Sequence, residues 1–277
     1  MRQKHLFISL VLFVFKHPKI LLIALLLGGL GYTYELFYAR DTMVFGGVPK
    51  SNEHFVRVFR NQAYMVGYSD SKGNPLWVVY KLTSPKPNTT ALKRPENFSA
   101  DWRNFYFIQP NDYTNSGYNR GHMAPNHAIS VLYGKEAQIE TFLMTNISPQ
   151  KPSLNQKLWQ TLEEKELYEF TQNSKELWVF TGPLFDKKSS YLKHSKAVEI
   201  PDAFYKFYVK ILEDGTIKTA GFILPQTVKP YEKLSKFAVS IDEIEARSGF
   251  DFLHVIQDHL ENELEANIDV TDWLDAM

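Results

Sequence analysis

A histidine, two asparagines and a glutamate in the middle of the chain have side chains that suit metal-assisted hydrolysis. His122 follows a glycine in a turn-rich segment, and Asn146, Asn155 and Glu163 come after it. A neutral histidine can take a proton from water near pH 7, because its ordinary pKa is about 6.5. A divalent cation can stabilise the charge on a phosphate and on the leaving oxygen. These residue types therefore suit metal-assisted hydrolysis, such as that of a phosphodiester.

The spacing of Asn155 and Glu163 indicates different roles for the two side chains. Mg²⁺ prefers oxygen ligands and retains several waters, so one side-chain carbonyl such as that of Asn155 can be sufficient. A separation of eight residues on an α-helix places the two side chains about 80° apart around the axis and about 12 Å apart along it. We therefore expect Asn155 to contact the ion directly and Glu163 to act through a metal-bound water.

Each of the four residues also has an ordinary structural explanation. A histidine after a glycine is more often structural than catalytic, and Asn146 is placed to cap a turn at the end of a strand. Asn155 lies near a helix start, where asparagine is a common capping residue. Glu163 fits a solvated helix surface. The combination and order of the residues, not any one of them, favour the catalytic interpretation.

The elements that must position these residues are strands followed by helices. Runs rich in valine and aromatic residues predict strands at Phe55–Phe59, Tyr64–Tyr68, Trp77–Leu82, Phe105–Gln109, Thr141–Ile147, Leu177–Thr181, Phe204–Leu212 and Ile217–Leu224. Helical periodicity predicts helices from a cap at Ser153 to about Phe170, at Ile241–Ser248 and at His254–Ala266. This order favours an α+β fold over a doubly wound sheet.

The composition is that of a globular protein with an uneven distribution of charge. The chain of 277 residues contains no cysteine, which excludes disulfides, thiolate metal sites and cysteine nucleophiles. Its 31 basic and 31 acidic residues cancel, but residues 241–277 contain 11 acidic residues and one arginine. The rest of the chain is therefore basic, which is compatible with binding a polyanion. A solvated acidic terminal helix explains the end of the chain equally well.

The first 40 residues differ from the rest and contain an apolar run at residues 20–38 that is long enough to span a membrane. Lysines precede this run, so the positive-inside rule predicts a cytoplasmic N-terminus and a non-cytoplasmic body. A cleavable signal peptide, which would give a secreted protein, and a buried core helix are the alternatives. We expect an N-terminal segment at 1–41 containing a transmembrane signal anchor, a catalytic domain at 42–265 and an acidic tail at 266–277.

Three segments in the same order resemble the motifs of the DNA/RNA non-specific endonucleases, the family of endonuclease G and the Serratia-type nuclease. They are Asn119–Pro125 (NRGHMAP), Thr145–Gln150 (TNISPQ) and Leu154–Glu163 (LNQKLWQTLE). Weaker similarities extend the match over roughly residues 45–255. The resemblance implies a ββα-metal fold with a central, mostly antiparallel sheet flanked by helices. It also implies Mg²⁺, or alternatively Mn²⁺, and DNA and RNA as substrates.

The motif match carries residue roles over to this chain. His122 resembles the general base, Asn155 the direct metal ligand and Glu163 the water-mediated metal partner. Asn146 resembles a residue that shapes the site and contacts substrate. Arg94 corresponds to an upstream phosphate-binding arginine, by distance rather than by a clear motif.

Two positions depart from the family pattern. Asn119 replaces the aspartate of the histidine motif, which removes a negative charge while retaining hydrogen bonds. Leu167 stands where an arginine often follows the helix glutamate, so Lys165, Arg120 or Arg94 must supply any cation. Asn119 and Arg120 are therefore included among the catalytic candidates.

Three functions follow from these observations. The leading hypothesis is a membrane-anchored, Mg²⁺-dependent nuclease, for which a homodimer is left open. A catalytically weakened module that holds nucleic acid at the membrane is the second. The third is a phosphodiesterase acting on a different ester.

Overall fold

A computed structural model describes Phe13, residues 16–185 and residues 189–274. The chain divides into two compact units, Met1–Thr42 and Met43–Met277. Within the first unit, helix α1 (Pro18–Tyr34) has no buried residue. The helical segment Pro18–Met43 is long and apolar enough to cross a membrane, and a signal sequence meets the same test. Residues 1–12, 14 and 15 of the predicted N-terminal segment and the last three residues of the predicted tail lie outside the described residues.

The second unit contains eleven strands and six α-helices among its described residues, listed here in chain order. They are β1 (Arg57–Arg60), β2 (Tyr64–Ser69), β3 (Asn74–Leu82), β4 (Asn119–His122), α2 (Asn126–Tyr133), α3 (Lys135–Glu140), β5 (Ile147–Gln150), α4 (Gln160–Lys165), β6 (Ser174–Leu184), β7 (Tyr191–Leu192), β8 (Ser195–Glu199), β9 (Ala203–Leu212), β10 (Ile217–Pro225), β11 (Ala238–Val239), α5 (Ile241–Ser248), α6 (Asp258–Ala266) and α7 (Thr271–Leu274).

Seven strands form one antiparallel sheet in the order β1-β2-β3-β6-β9-β10-β11. Two further antiparallel pairs, β4 with β5 and β7 with β8, lie outside this sheet. The predicted α+β class with an antiparallel sheet is confirmed.

The large sheet is buried on both faces. Along β9, Phe204 and Tyr208 belong to one hydrophobic core, while Phe207 and Val209 belong to the other, as the alternation of a strand requires. The first core also contains the apolar side of the long helix that includes α4. The second core contains Ile244 of α5. The sheet thus has helices packed on each side.

Two predicted strands differ from the structure. Thr141–Ile147 is not a strand, because a 3₁₀ turn occupies Met144–Asn146 and β5 begins only at Ile147. The side chain of Asn146 bonds the backbone of this turn and so replaces the partners that a strand would provide. Phe105–Gln109 is irregular, and Phe105 and Phe107 are exposed rather than buried in a sheet.

The last described residues pack against the body of the protein. Val270, Trp273 and Leu274 are buried in the first core, and the Trp273 ring lies 5.2 Å from that of Phe170. Residues 266–274, which the sequence assigned to an acidic tail, therefore contribute apolar side chains to the core. The acidic residues of this segment occupy its outer side, as Asp272 does.

Candidate active site

Two short strands fix the position of His122. It is the last residue of β4 and lies opposite Ile147 of β5. The preceding glycine permits close packing, because a Cβ atom on Gly121 would lie 2.1 Å from Oε1 of Gln150. Any larger residue at this position would force the side chain of Gln150 away. The glycine that precedes the histidine thus has a packing role in bringing β4 onto β5.

Asn146 fastens the segment that follows His122. Its Oδ1 accepts from the Ala124 amide at 2.8 Å, and its Nδ2 donates to the carbonyls of Ala124 at 3.0 Å and Thr141 at 2.9 Å. The side chain is fully buried and does not line the cavity described below. This placement argues against the predicted substrate contact and favours the predicted site-shaping role.

The helix after β5 supplies Asn155 and Glu163, and its turns are not uniform. Leu154–Trp159 and Glu166–Phe170 are π-type turns on either side of α4. Helical conformation already includes Ser153, whose side chain forms no cap, so the predicted cap is wrong. Because a π turn is wider than an α turn, the angle expected for an α-helix does not apply. The Trp159 indole joins this helix to β4 by donating to the His122 carbonyl at 3.3 Å.

One cavity of about 820 Å³ brings together six of the seven predicted site residues. They are Arg94, Asn119, Arg120, His122, Asn155 and Glu163. They come from an irregular segment, from β4 and from the long helix, so the fold unites residues that are far apart in the sequence.

His122 is held in an aromatic environment. Its ring centroid lies 5.3 Å from that of Phe98 and 4.9 Å from that of Phe142. No described residue hydrogen-bonds to its buried Nε2 atom. Burial is the main cause, and the charge of Arg94 the second, of a pKa of His122 that is lowered to about 3. The imidazole is therefore neutral at physiological pH and can accept a proton.

The donor atoms at Asn155 and Glu163 fit a hard divalent cation. None of the described residues hydrogen-bonds to the side-chain amide of Asn155, which leaves its carbonyl oxygen available in the cavity. Burial is the main cause of the raised pKa of Glu163, which is about 8; the charge of Lys206 opposes the shift and that of nearby Glu166 adds to it. A cation bound in the cavity would favour the ionised form of Glu163. Amide and carboxylate oxygens are the ligands that Mg²⁺ takes.

A buried charge network lies behind Glu163. Nζ of Lys206 on β9 pairs with Oε1 of Glu166, and both side chains are fully buried. Glu166 also accepts hydrogen bonds from the hydroxyls of Tyr80 at 2.6 Å and Tyr208 at 2.9 Å. The ammonium lies 4.6 Å from the ring centroid of Trp159. The sequence signal for this network was the lysine in the aromatic run of β9, which sequence reasoning did not connect to the site.

The cations near the cavity differ in their availability. The guanidinium of Arg94 lies 5.0 Å from the Phe142 ring and forms no hydrogen bond or ion pair with any described residue. Arg120 donates from Nε at 3.1 Å and Nη2 at 2.6 Å to the Pro110 carbonyl, so it is occupied in holding a loop. Lys165 pairs with Glu169 and does not line the cavity.

Sequence reasoning missed a second histidine in the cavity. His127 Nε2 lies 2.7 Å from the hydroxyl of Tyr168, and both residues line the cavity wall. Tyr168 directly follows Leu167, whose own side chain is buried in the first core. His127 follows His122, and Tyr168 follows Glu163, by five residues each, and this closeness in sequence to predicted site residues was the available signal.

Comparison with known proteins identifies relatives of this chain. A family model described as DNA/RNA non-specific endonuclease matches residues 49–259. A nuclease of Nostoc sp. is 29% identical over 222 residues, covering 76% of this chain and 77% of the relative. Human mitochondrial endonuclease G is 29% identical over 204 residues, covering 69% and 68% respectively. A nuclease of Serratia marcescens is 28% identical over 211 residues, covering 73% and 77%.

A solved structure has the same architecture. A chain in the crystal structure of the EndoG/EndoGI complex superposes with a TM-score of 0.64 and 25% sequence identity. The match covers 77% of the present chain and 89% of that chain. The antiparallel sheet and its surrounding helices are therefore shared with the EndoG structure.

Proposed function

This chain belongs to the DNA/RNA non-specific endonuclease family, and on that basis we propose that it is a metal-dependent endonuclease acting on DNA and RNA. The observation that carries the proposal is the single cavity in which His122, Asn155, Glu163 and Arg94 meet. It contains a neutral base, oxygen donors for a cation and an unpaired guanidinium. These are the groups that hydrolysis of a phosphodiester requires.

His122 acts as the general base. Its unpaired, buried imidazole accepts a proton from the attacking water, and burial keeps the ring neutral before that transfer. Asn155 would hold Mg²⁺, or Mn²⁺, through its side-chain oxygen, and Glu163 would orient a metal-bound water. When bound, the metal supplies charge stabilisation at the phosphate and the leaving oxygen.

Arg94 binds the phosphate, because its guanidinium points to no other partner and its charge reaches both His122 and Glu163. Arg120 and Asn146 act as positioning residues, because their side chains donate hydrogen bonds to backbone carbonyls. Asn119 lines the cavity with an amide in place of the family's aspartate. This substitution affects rate more than reaction type, since an amide still donates and accepts hydrogen bonds.

Residues 20–38 anchor the protein in a membrane, with the catalytic domain on the non-cytoplasmic side. Two features support this: the length and apolar character of the helical segment, and the lysines that precede it. The alternative is a secreted enzyme whose signal sequence has been cleaved.

Cleavage of supercoiled plasmid and of single-stranded RNA by the full chain in detergent tests the proposed activity. We expect cleavage of both with Mg²⁺, none with EDTA and a return of activity when Mg²⁺ is added in excess. His122→Ala should reduce the rate by about 10²–10⁴-fold, the usual contribution of general-base catalysis. His127→Ala is the matched control, because it removes a histidine from the same cavity and should retain most activity. Undiminished cleavage by His122→Ala would refute the assignment of the base.

A catalytically weakened nucleic-acid-binding module is the second candidate. Asn119 and Leu167 favour it, because one removes a carboxylate from the site and the other replaces a cation with a buried apolar side chain. Tight binding of DNA without turnover at any Mg²⁺ or Mn²⁺ concentration would support this candidate over the nuclease.

A further inference from the structure

A cluster of carboxylates lies between α5 and α6, apart from the catalytic cavity. Asp242 and Glu245 of α5 and Glu265 of α6 each place an oxygen atom within 4.8 Å of the other two. Asp242 and Glu245 are three residues apart, so they share one face of their helix. The apolar face of α5 packs into the second core, whereas the helix bearing Asn155 packs on the first. None of the three carboxylates lines the catalytic cavity.

Glu265 supplies a separate observation that points to a ligand. Its side chain is only 6% exposed, and among the described residues no donor hydrogen-bonds to its Oε1 atom. An ionised carboxylate that is buried without a partner is strongly unfavourable. It must either bind a proton or contact a cation.

The charged groups nearest Glu265 are other carboxylates. Burial and, after it, four nearby carboxylates, those of Glu245, Glu261, Asp242 and Asp251, together raise the pKa of Glu265 to about 8. Burial likewise raises the pKa of Glu245 to about 7, although Glu245 accepts a hydrogen bond from the Phe252 amide at 2.6 Å. Without a bound cation or proton, the like charges of this cluster oppose one another.

The dimensions of the cluster match a larger hard cation. Oxygen ligands lie about 2.3–2.6 Å from Ca²⁺, so two ligands on opposite sides are about 4.6–5.2 Å apart. Mg²⁺ has shorter bonds of about 2.0–2.1 Å and retains more of its waters. Oxygen atoms separated by up to 4.8 Å can therefore surround Ca²⁺ with little movement.

We propose that Asp242, Glu245 and Glu265 form a second, non-catalytic site for a hard divalent cation, with Ca²⁺ as the preferred occupant. The cation ties α5 to α6. It thereby secures the C-terminal segment, which is joined to β10 by the hydrogen bonds of Thr219 to Leu264 at 2.7 Å and of Asn267 to Thr219 at 2.8 Å. Three carboxylates at a partly open site suit a Kd on the order of 10⁻⁴–10⁻³ M, as in extracellular modules.

Thermal unfolding of the full chain with and without Ca²⁺, at constant ionic strength, tests the proposal. At a Ca²⁺ concentration of about 100 times Kd, we expect the Tm of the wild type to rise by about 5–10 °C. Glu265→Gln should abolish this rise while preserving side-chain volume. Glu263→Gln is the matched control, because this residue is exposed on the same helix and lies outside the cluster.

Two further variants keep the test decisive. Asp242→Asn changes an exposed ligand and should also abolish the rise, so it replaces Glu265→Gln if that variant does not fold. Asn155→Ala removes the proposed ligand of the catalytic metal and should leave the Ca²⁺-dependent rise in Tm intact. The proposal is overturned if the wild type does not respond to Ca²⁺, if Glu265→Gln and Asp242→Asn retain the response, or if Asn155→Ala abolishes it. Nuclease activity does not enter this readout, so the two proposals can fail separately.

Discussion

At the scale of single residues, burial determines what His122 can do. The rings of Phe98 and Phe142 exclude water from the imidazole, and Arg94 adds a positive charge nearby. Both effects disfavour the protonated ring, which is the form that cannot act as a base. The same arginine is available for a phosphate, so one side chain serves the base and the substrate.

The protonation of His122 gives a prediction with a definite sign. An NMR titration of the wild type without metal should find its imidazole still neutral at pH 5, where an ordinary histidine with a pKa of about 6.5 is mostly charged. Arg94→Gln should raise the pKa of His122 part of the way towards its ordinary value, because burial remains the larger cause. His122→Gln identifies the signal. Titration of the wild-type ring near its ordinary pKa would contradict the proposed environment.

Residue-level sequence reasoning identified the side chains but not always their surroundings. His122, Asn155 and Glu163 stood out by motif, and the structure places all three in one cavity. Asn146 had the right motif but is buried, because its amide is needed to hold the chain after β4. The partner of Glu166 is Lys206, and no local pattern could reveal a contact between residues so distant in sequence.

At the scale of elements, the long helix depends on charges buried beneath it. Lys206 of β9 and Glu166 of the helix pair without solvent contact, and two tyrosine hydroxyls complete the hydrogen bonds of the carboxylate. Removing one partner of such a pair leaves an uncompensated buried charge. The network therefore holds the helix that bears Asn155 and Glu163 against the sheet.

Lys206→Met should lower the free energy of unfolding by about 3–5 kcal/mol, because Glu166 is then left buried without its counter-ion. Lys210→Met is the matched control on the same strand, and it should cost less than about 1 kcal/mol because Lys210 is only partly buried. Urea denaturation of the full chain in detergent, followed by tryptophan fluorescence, measures both variants. If Lys206→Met and Lys210→Met lower the free energy of unfolding by equal, small amounts, the buried pair does not hold the helix.

The elements themselves were largely predictable from hydrophobic patterns. The helix Ile241–Ser248 and its end at Gly249, which has a φ of +69°, agree with the sequence prediction. The π-type turns were not predictable, because apolar residues four positions apart fit both a π-type and an α-helical turn. The prediction at Thr141–Ile147 was wrong because the asparagine side chain competes with strand pairing.

At the scale of the whole molecule, the order of the strands could not be derived from the sequence. β6 lies between β3 and β9, so the sheet joins segments separated by the entire region that carries β4, β5 and the long helix. These contacts depend on packing between distant parts of the chain rather than on local propensity. The uneven distribution of charge, in contrast, could be found from the sequence alone. The acidic end of the chain includes the proposed Ca²⁺ ligands.

The proposed anchor predicts how the protein fractionates. The full chain expressed in bacteria should remain with the membrane pellet after washes at high salt and alkaline pH, because its apolar segment lies in the hydrocarbon core. A variant lacking residues 2–41 but carrying a cleavable signal peptide should appear in the soluble fraction. Recovery of the full-length gene product as a soluble protein that begins after residue 38 would instead show a cleaved signal.

The dependence of plasmid cleavage on Mg²⁺ tests the proposed catalytic site most directly. Initial rates should be measured across a range of Mg²⁺ concentrations for the wild type, Asn155→Ala and Asn126→Ala. Asn126→Ala is the matched control, because Asn126 lines the same cavity but its Oδ1 accepts a hydrogen bond from Gln138. We predict that Asn155→Ala requires at least about tenfold more Mg²⁺ for half-maximal rate, or loses activity altogether, and that Asn126→Ala resembles the wild type. An unchanged Mg²⁺ dependence in Asn155→Ala would contradict the proposed metal site.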